Sequence, residues 1–121
     1  MSRPLIAIID DDAGIRAALQ MLMRSASYRV ATFASAEAFV ASGVAGSSAC
    51  IITDANMPGM SGFDLIGVLK SEGCAAPVIV ISALPEDGLE QQAAYHGARC
   101  FLRKPFESGV LVSVVEESLM Q

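Results

Sequence analysis

Five short apolar runs alternate with stretches whose apolar positions recur every three or four residues. Leu5–Ile9 is continuously apolar and ends in Asp10, Asp11 and Asp12. Its length and lack of alternation suit a strand covered on both faces. From Ala13 the spacing turns helical, with Ile15, Ala18, Leu19, Leu22, Met23 and Ala26 on one stripe. Arg29–Phe33 alternates and predicts a second, more exposed strand. Ser35 then offers an N-cap for a short helix carrying Ala38, Phe39 and Val40. Residues 43–48 read as loop, 50–53 as a third strand and 62–72 as a third helix. Pro77 opens a fourth strand over 78–81, ending at Ser82. Pro85, Glu86 and Asp87 read as the acidic first turn of a fourth helix that Gly97 stops after His96. Residues 99–102 form a short fifth strand, and 106–120 a last helix with Val110, Leu111, Val114, Val115 and Leu119 facing inward.

This is βα five times over with short connections, which predicts a doubly wound parallel sheet with helices on both faces, a three-layer α/β sandwich. The 121 residues give room for one domain, so residues 1–121 are expected to form a single unit, with any further domain outside them. The net charge of −5 and the lack of a Lys/Arg cluster argue against nucleic-acid contact by this segment. No apolar run approaches the roughly 20 residues of a membrane span, and no signal peptide is evident, so a cytoplasmic location is expected. Cys50 and Cys100 read as small buried side chains in a reducing compartment, and Cys74 as a loop thiol.

The polar residues that interrupt this pattern carry the chemistry. Asp10 and Asp11 close strand one, Asp54 strand three and Ser82 strand four, and Lys104 follows strand five. In a parallel sheet the carboxyl ends of the strands share one edge, where ligands bind. Three crowded carboxylates need positive charge or protons. Lys104 supplies one charge, and a hard divalent cation such as Mg²⁺ suits the remaining oxygen donors. A carboxylate beside Mg²⁺, a lysine and a hydroxyl can attack phosphorus in line while its oxygens are neutralised.

The motifs Ile8-Ile9-Asp10-Asp11-Asp12, the loop from Asp54 through Asn56, Met57, Pro58, Gly59 and Met60 to Gly62, then Val80-Ile81-Ser82-Ala83 and Lys104-Pro105-Phe106, together resemble the receiver domain of two-component response regulators over the whole chain. Ser35-Ala36-Glu37-Ala38-Phe39 is similar to the FixJ type within that family. The resemblance implies a CheY-like five-stranded sheet in the order 2-1-3-4-5. It implies Asp54 as phospho-acceptor, and Asp11, Asp54 and the backbone carbonyl of Asn56 as Mg²⁺ ligands, with Asp10 acting through water. It also implies Ser82 and Phe101 as the switch pair, Lys104 as the phosphoryl counter-charge, and a cis peptide at Lys104-Pro105. Leu84 occupies a variable position of the family. The implied partner is a sensor histidine kinase or phosphotransfer protein. The expected response is a phosphorylation-dependent homodimer through the face of helix four, strand five and helix five, controlling an output such as transcription. The chain is thus expected to be a self-phosphorylating and self-dephosphorylating switch rather than an enzyme with an external product.

Two other readings compete. Asp10-Asp11-Asp12 contains the Asp-x-Asp of haloacid-dehalogenase-type phosphatases, but that reading leaves the Asp54 loop unexplained. A receiver-like interaction module without phosphorylation would not need a complete acidic set. Among the remaining residues, His96 reads as a helix-end residue, Tyr28 and Tyr95 as half-buried packing, Met21 and Met23 as part of the core, and Asp12 as a solvated neighbour of the site.

Overall fold

The computed structural model describes residues 3–83 and 88–120. Its strands are β1 (Leu5–Ile9), β2 (Arg29–Phe33), β3 (Cys50–Asp54), β4 (Val78–Ser82) and β5 (Cys100–Arg103). Its helices are α1 (Ala13–Ser25), α2 (Ala36–Ser42), α3 (Gly62–Ser71), α4 (Leu89–His96) and α5 (Ser108–Leu119). All strand pairs are parallel and the sheet order is β2-β1-β3-β4-β5, as the resemblance implied.

The unbroken apolar runs arise because each central strand feeds two cores. On one face Ala7, Ile9, Ile51, Val78 and Val80 pack against Phe39 of α2, Leu65, Ile66 and Leu69 of α3, and Leu89 and Ala93 of α4. On the other, Ile6, Ile8, Cys50, Ile52, Ile79 and Ile81 meet Leu19 and Met23 of α1 and Leu111 and Val115 of α5. Successive side chains of a strand point to opposite faces, so these two sets interleave along the sequence. Truncating one such fully buried Ile to Ala would cost about 2–5 kcal/mol.

The helix starts are fixed locally. The Ser35 hydroxyl accepts the Ala38 N–H at 3.0 Å, the cap expected for α2. Ser61 and Asp64 form a reciprocal capping box at the start of α3, at 3.0 and 3.2 Å. Gly43 and Gly97, both left-handed, end α2 and α4.

The structure departs from the sequence expectations in several places. The expected loop 43–48 contains a 3₁₀ turn, Val44–Ser47. Helix α5 starts at Ser108, two residues after Phe106, because Glu107 is still extended and serves as the N-cap. Val110 is 42% exposed, whereas Ser118 is buried, its hydroxyl donating to the Val114 carbonyl at 2.8 Å. Leu111, Val115 and Ser118 form the buried line, at spacings of four and three, and Val114 and Leu119 pack partly buried against the same core as expected. Met21 (74% exposed) and Tyr95 (86% exposed) lie on outer helix faces rather than in the core. Leu84 and the acidic turn of Pro85, Glu86 and Asp87 lie outside the described residues. Among the described residues no helix is long and apolar enough to cross a membrane.

Candidate functional site

The ends of β1, β3, β4 and β5 meet at one edge of the sheet. The β1–β2 ladder continues one step beyond Ile9, where the Asp10 N–H donates to the Phe33 carbonyl at 3.1 Å. That step carries the Asp10 side chain inward until it is 1% exposed, while Asp11 stays at the surface. On β3, Asp54 is the last strand residue and is half-buried. One oxygen from each of Asp10, Asp11 and Asp54 can lie within 4.8 Å of the others.

Burial of the Asp54 carboxyl, with the Asp10 charge as the second cause, pushes its pKa from 3.8 up to about 6. Lys104 and the Ala55 N–H pull it back down, and Asp11 pushes it slightly further up. The Asp10 Oδ1 accepts the Asp12 N–H at 2.9 Å, and its Oδ2 faces the Lys104 ammonium at 3.4 Å. The lysine expected beside the acceptor thus makes its ion pair with Asp10, and acts on Asp54 through space.

Strand pairing places the remaining members. Ser82, 1% exposed, stands opposite Arg103 in the β4–β5 register, and its carbonyl accepts the Lys104 N–H at 2.8 Å. This one backbone bond holds Lys104 at the site although it is separated from Asp10 by most of the chain. The Lys104-Pro105 peptide is cis. Phe101 is half-buried opposite Val80, packs on the core that contains α3 and α4, and carries the Arg103 guanidinium 5.6 Å from its ring centre. Asn56 lies exposed two residues beyond Asp54.

Several neighbours escaped the sequence reading. Asp12 caps α1, its carboxylate accepting the Ile15 N–H at 3.0 Å. An Asp just before an apolar helical stripe was a usable signal for this. Arg16 donates to the Asp10 carbonyl at 2.7 Å, bracing the β1 end from α1. Glu37 of α2 accepts the Met60 N–H at 3.0 Å across 23 residues, a contact with no local signature. Gly62 lies against the Asp54 carbonyl so closely that a Cβ would collide with it.

Other candidates resolve into packing. His96 stacks on Phe63 with ring centres 5.4 Å apart. Burial pushes the Cys50 thiol up to about 12, leaving it inert. A cavity of about 430 Å³ opens at the far end of the sheet between Leu69, Lys70, Pro77 and Arg99, and includes none of the converging residues.

An oxygen-only donor set with three carboxylates suits a hard divalent cation rather than a soft metal. Residues 6–116 match the response regulator receiver domain. The chain is 37% identical over 114 residues to the transcriptional regulatory protein FixJ of Azorhizobium caulinodans, covering 94% of this chain and 54% of that protein. It is 35% identical over 115 residues to the response regulator protein TodT of Pseudomonas putida, covering 95% and 51%. The chain therefore spans about half the length of these relatives. Its fold superimposes on the crystal structure of FixJ-N with a TM-score of 0.89 at 30% identity, covering 100% of this chain and 97% of that one. Full-length FixJ from B. japonicum gives a TM-score of 0.91 at 32% identity, covering 100% and 60%.

Proposed function

The chain belongs to the response regulator receiver domain family, and on that premise we propose that Asp54 accepts a phosphoryl group from the phosphohistidine of a sensor histidine kinase or phosphotransfer protein. The observation that carries this is the convergence of Asp10, Asp11 and Asp54 with buried Ser82 and with Lys104 at one sheet edge.

In the transfer an Asp54 oxygen attacks phosphorus as the bond to the histidine nitrogen breaks. The nitrogen leaves with the bonding electron pair, and an acyl phosphate forms on Asp54. The attacking oxygen must be ionised, and a pKa near 6 leaves it so at neutral pH. Lys104 neutralises one phosphoryl oxygen, exchanging part of its contact with Asp10 for the new charge. The Ser82 hydroxyl donates to another. Asp11, Asp54 and the Asn56 backbone carbonyl would hold Mg²⁺, with Asp10 behind them. When bound, that ion supplies charge neutralisation at the phosphoryl oxygens and relieves the repulsion among the carboxylates. Water attack on phosphorus at the same site would break its bond to the Asp54 oxygen, release inorganic phosphate and return Asp54 to a carboxylate.

The response follows from strand order. A Ser82 hydroxyl drawn toward the phosphoryl group vacates space on β4 that the neighbouring Phe101 ring of β5 can enter. Helix α4 is the element that yields, because it buries only Leu89 and Ala93 while Glu90, Gln91 and Gln92 are exposed. The altered α4–β5–α5 face would then pair with a second copy. Residues 1–121 act as one receiver unit, and any output domain, controlling transcription by analogy with FixJ, would lie outside it. The three cysteines are free thiols, which suits action in the cytoplasm.

The decisive experiment is acetyl phosphate with Mg²⁺ followed by intact mass measurement. One acid- and base-labile phosphoryl group on the wild type, and none on Asp54→Asn, is expected. Label retained in that variant would move the acceptor elsewhere.

A further inference from the structure

The loop joining β3 to α3 is held at three levels. At its base, the Ala55 N–H donates to the Ile81 carbonyl at 2.8 Å, and the Gly62 N–H donates to the Ala55 carbonyl at 3.0 Å. In the middle, the Met57 side chain is buried in the core beneath it. At its tip, Glu37 Oε2 accepts the Met60 N–H at 3.0 Å. The tip backbone is shaped for that carboxylate. Gly59 sits at a φ of 79°, which side chains rarely adopt, and a Cβ there would run into the Glu37 carboxylate. Glu37 is exposed, but the helix presenting it is anchored. Ser35 caps α2 in front of it, and Ala36 and Phe39 on either side of it are fully buried. A charged acceptor on a backbone N–H is a stronger bond than a neutral one.

We propose that Glu37 is a positioning residue for the phosphoacceptor site: it latches the tip of the loop that carries Asn56 and thereby orders the backbone that the cation and the acyl phosphate require. This rests on the reading of Asp54 as phospho-acceptor. Only Met57 among residues 56–59 is buried, so the Glu37 contact is the chief restraint on the exposed arc of the loop. Mg²⁺ demands near-ideal octahedral geometry, so a looser carbonyl donor at Asn56 lowers affinity even when no ligand is removed.

The test compares Glu37→Ala with Glu37→Gln, whose amide oxygen can still accept from Met60. Three quantities are measured: hydrogen exchange of the Met60 amide, Mg²⁺ affinity, and the initial rate of Asp54 phosphorylation by acetyl phosphate at limiting and saturating Mg²⁺. Glu37→Ala should lose about tenfold or more of its Met60 protection. Its Mg²⁺ dissociation constant should rise roughly threefold to tenfold, and its phosphorylation rate should fall at limiting Mg²⁺ and recover at saturation. Glu37→Gln, a neutral and therefore weaker acceptor, should fall between Glu37→Ala and the wild type in all three. Unchanged Met60 exchange in Glu37→Ala, wild-type Mg²⁺ affinity in that variant, or equal losses in both variants would each overturn the latch. If the wild type itself takes no phosphate, the phospho-acceptor reading fails, while Met60 exchange and Mg²⁺ binding still decide the latch.

Discussion

Replacing Asp54 with Asn should stabilise the metal-free protein, and the gain should grow with pH. Burial and the Asp10 charge raise the Asp54 pKa from 3.8 to about 6 in the folded state. The fold therefore favours the protonated carboxyl. The resulting penalty nearly vanishes below the unfolded value, grows as pH rises between the two values, and is fully present above the folded one. At 1.36 kcal/mol per unit the shift corresponds to at most about 3 kcal/mol at neutral pH. Asp54 is only half-buried, and solvent screening reduces this to roughly 1–2 kcal/mol. Asn keeps the size and removes the charge, so Asp54→Asn should gain about that amount, roughly 4–8 °C in Tm for a domain of this length. The assay is thermal and urea unfolding of both proteins in a chelator at about pH 5 and about pH 8, where the gain should be near half its maximum and near full, respectively. A gain independent of pH, or a loss of stability at the higher pH, would refute the electrostatic argument. Mg²⁺ should raise the wild-type Tm at the higher pH by relieving the same repulsion.

Asp11→Ala should weaken Mg²⁺ binding at least tenfold, read by titration calorimetry, and unchanged affinity would remove Asp11 from the site. Ser82→Ala should still take phosphate on Asp54 but associate less, measured by sedimentation with and without phosphodonor. Equal dimerisation of both proteins would break the link from Ser82 to Phe101. Gly62→Ala drives a Cβ into the Asp54 carbonyl and should destabilise by roughly 1–3 kcal/mol in urea unfolding, whereas a neutral effect would show that the α3 start can shift freely.

Both the elements and the gathering of polar residues at one sheet edge were legible in the sequence because each depends on local pattern. Unbroken apolar runs such as 5–9 and 78–81 identify strands covered on both faces, and three-to-four spacing identifies the helices between them. The punctuation at Asp10, Asp54, Ser82 and Lys104 marks the strand ends, so a parallel sheet necessarily gathers them at one edge. The strand order itself came only through resemblance, since no residue of β1 names β3 as its neighbour.

Partners across long sequence distances were decided by tertiary structure alone. Lys104 pairs with Asp10, 94 residues away, because the bond from its N–H to the Ser82 carbonyl fixes where its side chain starts. Arg16 and Glu37 brace the site from α1 and α2, and neither contact has a periodicity or spacing that could announce it. The same limit explains the errors at Val110, Met21 and Tyr95. An apolar residue on a helix satisfies the pattern whether it faces core or water, and only the packing of that helix against the sheet settles which. The raised pKa of Asp54 belongs here too, since it is a property of burial and of Asp10 nearby, and the unfolded chain has neither.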